Sequence, residues 1–211
     1  MKKIFLLCFS FTGVIILFSA FYYISKLSPK ETRPMVTSDI PDNTVKRLTT
    51  HATEAKQFVR SKQFNNSLCL FIDMSIESGK NRFFLYDLSK DSVIDKGLVT
   101  HGRCNETWLT GRKYGNEVGC GCTSLGKYRI GNAYRGRFGL AYKLTGLEST
   151  NNNAFKRYVV LHAHECVPDQ QVHPLPICQS DGCPTVSTTF LKRLSDVIDG
   201  TSRPLLLWVY D

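Results

Sequence analysis

The sequence feature that most constrains the fold is a succession of short apolar segments separated by turn residues. Residues 68–74 and 82–88 flank Glu77-Ser78-Gly79-Lys80-Asn81, a composition typical of a hairpin turn. Further strand-length segments lie at residues 93–100, 127–130, 138–144, 158–162 and 205–210. Because strands outnumber helices, the pattern predicts a mainly β fold, either a β-sandwich or a partly closed barrel.

One or two helices are expected to flank this β structure. The first follows Asp42 or Asn43 as its cap, and His51 falls on its solvated side. Apolar residues recur along it at spacings of three and four, which predicts a core-facing stripe: Val45, Leu48, Ala52, Ala55 and Val59. A second helix is predicted after Ser187 as N-cap, and it ends at Gly200.

The N-terminus indicates export. Lys2 and Lys3 precede an uncharged stretch over residues 4–24, which is long enough to span a bilayer. Residues 1–24 are therefore expected to be a signal-anchor, with a cleaved signal peptide as the alternative, and residues 25–43 a tether. The remaining residues, 44–211, form the predicted folded domain, which export would place on the periplasmic side of the cell envelope.

The net charge of +9 fits an anionic membrane surface, an anionic polymer or nucleic acid. Export makes nucleic acid the least suitable of these partners. The membrane partner is reached through the N-terminal segment, and the sequence gives no oligomeric state.

Two separated stretches bring together the residue types of a thiolate nucleophile and its base. His162 ends the apolar run at residues 158–161, and Ser180-Asp181-Gly182-Cys183-Pro184 follows after a polar loop. Gly182 allows a sharp turn beside the thiol, and Pro184 fixes the exit from that turn. A cysteine with a positioned histidine favours nucleophilic catalysis, although a free or bridged Cys183 with a structural His162 is the alternative.

A histidine followed some twenty residues later by Ser-x-Gly-Cys resembles L,D-transpeptidase catalytic domains of the YkuD type. The Ser-x-Gly-Cys-Pro ending resembles one branch of that family. Upstream segments extend the resemblance over most of residues 45–211: Phe71-Ile72-Asp73-Met74-Ser75, Val99-Thr100-His101-Gly102-Arg103, Ser124-Leu125-Gly126-Lys127-Tyr128 and Asn152-Asn153-Ala154.

The resemblance implies a cysteine acyltransferase that cuts the tetrapeptide stem of peptidoglycan between an L-centre and a D-centre. Cys183 would form a thioester acyl-enzyme, and His162 would accept or hold the thiol proton. Backbone N–H groups around Gly182 and Cys183 would stabilise the oxyanion. Ser180 and His101 would contact substrate. Donor and acceptor stem peptides are then the partners, no cofactor is required, and carbapenems would acylate the thiol.

The match departs from the family pattern at three positions. Ala163 replaces the glycine that commonly follows the histidine, and Pro184 replaces a polar residue after the cysteine. His164 is an additional imidazole that strand alternation puts on the same face as His162, so it could compete as base or contact substrate.

The cysteines offer a second set of expectations. Excluding Cys8 and Cys183, six remain, enough for up to three disulfides in an oxidising compartment. A bridge between Cys166 and Cys178 would close the loop between the two predicted catalytic residues. Zinc held by the two histidines of residues 162–164 and the thiolates of Cys120 and Cys122 is a weaker alternative, because these spacings are unusual for zinc.

Two functional rivals stay open at this stage. The same site could serve an L,D-carboxypeptidase or endopeptidase that uses water as the acceptor. Alternatively, the chain could be a catalytically silent wall-binding module with an oxidised Cys183. The long glycine-rich and cysteine-rich stretch at residues 101–126 is expected to wall the substrate cleft.

Overall fold

The computed structural model describes residues 40–211, so the predicted signal-anchor and nearly all of the predicted tether lie outside the described residues. Within the described range, no helix combines the length and apolarity needed to cross a membrane. The elements are α1 Asp42–Ser61, β1 Leu68–Asp73, β2 Phe83–Asp87, β3 Ser92–Gly97, β4 Gly126–Gly136, β5 Gly139–Gly146, β6 Val160–Ala163, β7 Thr185–Val186, α2 Thr188–Ile198 and β8 Leu206–Tyr210.

The fold is mainly β, as predicted, but it is neither a sandwich nor a barrel. All eight of these strands form one mixed sheet in the order β3-β2-β1-β8-β4-β5-β6-β7. The sheet does not close, because β3 and β7 stand at opposite edges. Strand β8 is inserted between β1, to which it is parallel, and β4, to which it is antiparallel.

A helix on each face explains why an open sheet can carry fully apolar strands. In β8, Leu207 and Val209 belong to the core that includes α2, whereas Leu206, Trp208 and Tyr210 belong to the core that includes α1. Side chains alternate between faces with period two, so a strand covered on both faces is apolar throughout. The two helices therefore do the covering that a second sheet would do in a sandwich.

Helix α1 differs from prediction at its start and on its polar side. Pro41 occupies the N-cap position, without a side-chain capping bond, in place of the predicted Asp42 or Asn43. Thr44 is buried, while Val45 is exposed and so is not part of the core stripe. His51 is half-buried, since its ring packs 3.6 Å from the Tyr210 ring centroid, and burial lowers the pKa of this imidazole.

Three strand predictions have clearly different bounds in the structure, and one is β3, which ends at Gly97 rather than at residue 100. Strand β4 runs on through Gly131 to Gly136, with a register shift against β5, so the hairpin turns at residues 137–138 rather than at Gly131. Tyr158 is not in β6: it has a φ of 57° and is 84% exposed. The predicted N-cap Ser187 is confirmed, because its hydroxyl accepts the N–H of Phe190 at 3.1 Å.

Candidate active site

Cys183 lies at the end of a tight turn that leads into β7. Gly182, just before it, has a φ of 102°, a conformation that side-chain-bearing residues rarely adopt. A Cβ at this position would stand only 2.5 Å from the carbonyl oxygen of Cys122 and 2.9 Å from a guanidinium nitrogen of Arg157. Both the backbone conformation and the space therefore require glycine beside the thiol.

Hydroxyl groups fix the orientation of the Cys183 peptide. The Cys183 carbonyl accepts bonds from Ser180 Oγ at 2.7 Å and from Thr100 Oγ1 at 3.3 Å, and Thr185 Oγ1 lies 3.3 Å from the same oxygen. Ser180 Oγ also accepts the N–H of Gly182 at 3.2 Å. Ser180, predicted to contact substrate, thus has both of these hydroxyl interactions within the turn.

The thiol of Cys183 is half-buried. Its Sγ lies 3.8 Å from the carbonyl oxygen of Tyr158, to which it can donate. Burial raises the pKa of the thiol, while the Val160 N–H and the nearby positive charge of Arg157 lower it and the charge of Asp181 raises it. Because burial is the largest of these effects, the free protein favours the neutral thiol.

His162 lies on β6, next to β7, and is paired in register with Thr185. Its Nδ1 is 3.0 Å from the Ala163 carbonyl, which can only accept, so Nδ1 carries the proton. Nε2 then accepts from Thr185 Oγ1, also at 3.0 Å. The ring is buried under Phe138, with a centroid separation of 4.3 Å and an interplanar angle of 20°, and burial lowers its pKa.

These pKa directions define the resting state of the two predicted catalytic groups. A raised thiol pKa and a lowered imidazole pKa both oppose a thiolate–imidazolium pair. The basic lone pair of His162 faces the hydroxyl of Thr185, while the thiol faces Tyr158. The imidazole on β6 and the thiol on the turn before β7 are therefore both neutral, and each contacts a different partner.

His164 is further from the thiol along the strand direction. Its backbone N–H reaches Val186, while its exposed side chain accepts the Cys166 N–H through Nδ1 at 3.1 Å. In the β6–β7 register, Cys183 is two positions before Thr185, the partner of His162, whereas His164 lies beyond the end of β6.

His101 forms part of a separate cavity of about 520 Å³, which residues 108–112 and 174–176 also line. The segment that carries it is tied to the catalytic turn, because Ser180 N–H donates to the His101 carbonyl at 2.9 Å. Residue 101 and residues 108–112 of the long stretch thus line this cavity, and its use as a substrate cleft stays a prediction.

Arg157 is a site residue that sequence reasoning missed. Its NH1 donates to the Gly115 carbonyl at 3.1 Å and to Ser124 Oγ, and its NH2 donates to the Cys122 carbonyl. The guanidinium thereby connects the long loop to the back of Gly182. An arginine before an apolar strand carries no distinguishing sequence signal, because only the tertiary fold brings it to the thiol.

The structure forms two disulfides among its described residues, Cys104–Cys122 and Cys166–Cys178. The expected loop closure between Cys166 and Cys178 is present. A third bridge is not, because Cys69 and Cys120 are free. Cys69 lies on β1 and is fully buried in the core beneath α1. An even number of cysteines therefore does not require that this one forms a disulfide.

The zinc alternative loses one of its ligands in this arrangement. Cys122 is bridged and cannot supply a thiolate, and residues 40–211 contain no group of three or more His, Cys, Asp or Glu side chains suited to a metal. Two disulfides are compatible with an extracytoplasmic protein.

A tight turn thus presents a cysteine next to a strand that carries a buried histidine. Residues 41–210 match the L,D-transpeptidase catalytic-domain family (YkuD type), and the chain belongs to that family. The family relates the protein to peptidoglycan. No curated protein sequence matches the chain.

Among solved structures, the chain is similar to the helical cell shape determining protein Pgp2 from Campylobacter jejuni. Its K307A mutant aligns at 13% identity and a TM-score of 0.40, covering 82% of this chain and 57% of Pgp2. The Pgp2 structure without that substitution aligns at 13% identity and a TM-score of 0.37, covering 69% and 48%. The chain thus spans about half the length of these proteins.

Proposed function

We propose that the protein is an L,D-transpeptidase that acts on peptidoglycan stem peptides through a thioester on Cys183. The observation that carries the proposal is the half-buried thiol on the Gly182 turn, one strand away from a neutral imidazole whose Nε2 has a lone pair.

The proposed reaction begins with transfer of the Cys183 proton to Nε2 of His162. Because Sγ faces Tyr158 and Nε2 faces Thr185, side-chain rotation must first bring sulfur and nitrogen together. Catalytic hydrogen bonds often form only when substrate is bound. The low imidazole pKa suits a base that accepts this proton only as the sulfur attacks.

The sulfur then bonds to the carbonyl carbon between the L-centre and the D-centre, and the peptide C–N bond breaks. The leaving amine takes the proton from His162. An acceptor amine next attacks the thioester and gives a proton to His162; the new peptide bond forms as the C–S bond breaks, and His162 returns the proton to the Cys183 thiolate. We assign the N–H of Cys183 to the oxyanion, because the Gly182 N–H is already bonded to Ser180 Oγ.

A carbapenem adduct, read by intact mass, tests the nucleophile and the base. Full-length protein should gain one drug mass, and Cys183→Ser should gain none because a hydroxyl ionises far less readily than a thiol. His162→Ala should slow acylation about a hundredfold to ten-thousandfold. His164→Ala is the matched control, and a larger loss there than in His162→Ala would reverse the assignment of the base.

Product analysis separates transfer from hydrolysis. Purified tetrapeptide muropeptides should yield cross-linked dimers, or exchange the terminal D-amino acid when a free D-amino acid is supplied. Shortened peptides alone would instead identify a carboxypeptidase or endopeptidase. An unreactive thiol with retained binding to the wall would identify a silent binding module.

A further inference from the structure

We call the cavity of about 520 Å³ beside the catalytic turn the His101 cleft. Arg82, His101 and Gln179 form its floor. The amide orientation of Gln179 is fixed by Leu109: Oε1 accepts the Leu109 N–H at 2.9 Å, and Nε2 donates to the Leu109 carbonyl at 2.8 Å. Rotating the amide would put like groups together at both contacts, so Nε2 must be the nitrogen that faces His101.

The His101 ring consequently faces a hydrogen-bond donor at each nitrogen. Arg82 NH2 lies 3.2 Å from Nδ1, and Gln179 Nε2 lies 3.2 Å from Nε2. An arginine has no acceptor, so Nδ1 must accept, and the imidazole proton resides on Nε2. Two donors, His101 Nε2–H and the Gln179 amide, therefore meet without an acceptor between them.

The charges around the cleft favour an anionic acceptor. Arg82 is only 2% exposed and donates to the Val99 and Ile76 carbonyls. Within residues 40–211 it has no carboxylate within ion-pair distance. A buried cation without a counter-ion is costly, and a ligand carboxylate nearby would offset that cost.

The other charged groups of the cleft are already paired. Arg112 lies 3.7 Å from an Asp211 carboxylate oxygen, and Glu77 pairs with Lys80 at 2.8 Å and with His173 at 3.1 Å. Burial and the positive charges of Arg82 and Arg112 lower the pKa of His101 to about 4, so the ring stays neutral under ordinary conditions. Arg82 is thus the cation of the cleft that has no direct ion pair among the described residues, and only the more distant charges of Asp73 and Asp211 favour it.

The walls of the cleft suit a peptide rather than a bare ion. Trp108 is 50% exposed and Leu175 is 67% exposed, so each offers apolar surface at the cleft. The cleft also adjoins the catalytic turn, because Gly102 bridges to Ser180, three residues before the thiol. A ligand bound there would extend toward Cys183.

We propose that the His101 cleft binds a carboxylate of a peptidoglycan stem peptide, with one carboxylate oxygen accepting from both His101 Nε2–H and the Gln179 amide. The inference rests on the proposed function for the identity of the peptide. It adds a specificity: a free carboxylate is preferred over its amide, because a charged oxygen accepts these two bonds more strongly than a neutral amide oxygen does and also offsets the buried charge of Arg82.

Binding is measured by calorimetry on full-length Cys183→Ala protein, which cannot turn the ligand over. The probes are a muropeptide tetrapeptide with free carboxylates and the same peptide with its carboxylates amidated. The free acid should bind about tenfold to a hundredfold more tightly, the range expected for hydrogen bonds to a charged group. His101→Phe, which keeps a flat ring but has no nitrogen, should abolish that preference.

Two further variants sharpen the test. Gln179→Glu puts an acceptor and a negative charge in place of the donor, so it should reverse the preference toward the amidated peptide. That preference is a ratio within one protein sample, so a partly unfolded fraction does not alter it. His173→Phe removes an exposed imidazole outside the cleft and should leave the preference unchanged.

Equal binding of the acid and the amide to the Cys183→Ala protein would overturn the inference. So would a retained preference in both His101→Phe and Gln179→Glu. ¹⁵N NMR should find the His101 proton on Nε2, and a proton on Nδ1 would also overturn it. If Cys183 is acylated without such a preference, this inference alone fails; if the preference holds but Cys183 never acylates, the transpeptidase proposal fails.

Discussion

Replacing Gly182 by alanine tests whether the shape of the catalytic turn depends on the absence of a side chain. The φ of 102° makes any other residue strained, by roughly 1–2 kcal/mol. The added Cβ would also stand 2.5 Å from the Cys122 carbonyl oxygen, whereas ordinary contact begins near 3.4 Å. The turn or the loop must therefore move by about 0.9 Å, at an overpacking cost of about 1–3 kcal/mol.

Gly119 provides the matched control because it separates strain from crowding. Its φ of 81° is similarly unfavourable for alanine, yet a Cβ there would have no neighbour within 4 Å. Gly119→Ala should lose only the backbone contribution, about 1–2 kcal/mol. Gly182→Ala should lose about 2–5 kcal/mol in the free energy of unfolding, measured by urea denaturation.

The functional consequence follows from the position of Cys183 after this turn. A shift of about 1 Å at a reacting group can cost about a hundredfold in rate. The acylation rate of Gly182→Ala by a carbapenem should fall by that order, while Gly119→Ala should react like the wild type. If the two variants lose equal stability and equal rate, the crowding argument is wrong.

Three other predictions concern titration and thiols. Phe138→Ala should expose the His162 ring and raise its pKa toward the ordinary value, so the acidic limb of the acylation pH profile should move to higher pH. Within residues 40–211, a thiol reagent should label Cys120 in native protein and Cys69 only after unfolding, and it should label the bridged cysteines only after reduction. Labelling of Cys69 in native protein would contradict its burial. The pKa of His101 is about 4 in the folded protein and 6.5 ordinarily, so the unfolded chain protonates this imidazole more readily. The free energy of unfolding should therefore fall as the pH drops from about 6.5 to about 4, by at most about 3 kcal/mol. Denaturation at the two ends of this window should show a smaller loss in His101→Phe than in wild type.

The strands of the sheet could be predicted because their apolar runs are local. The open sheet could not, since it depends on the pairing of β1 with β8, whose partners Cys69 and Leu206 are far apart in sequence. Apolar residues on both faces of a strand fit a sandwich core, a barrel or a sheet between two helices. Only the placement of α1 and α2 distinguishes these architectures.

The candidate site was predictable where residue type alone determines the chemistry. Cys183, Gly182 and His162 are recognisable as thiol, turn residue and imidazole. The partners that orient them were not, because Thr185, Arg157 and Phe138 reach the site by strand register, by a loop and by a hairpin turn. The parity argument failed at Cys69 for a related reason: a free cysteine is among the side chains most often buried as a small hydrophobe.

The end of β6 bears directly on which histidine can act as base. Strand alternation treats His162 and His164 alike, and that rule holds only while the strand continues. Strand β6 ends at Ala163, and the following loop is closed by the Cys166–Cys178 bridge. His164 is at the start of that loop, where its imidazole accepts the Cys166 N–H. His162 lies within β6, and the lone pair of its Nε2 faces Thr185 on β7, the strand that follows the thiol. The strand therefore orients the proposed base, His162, but not His164.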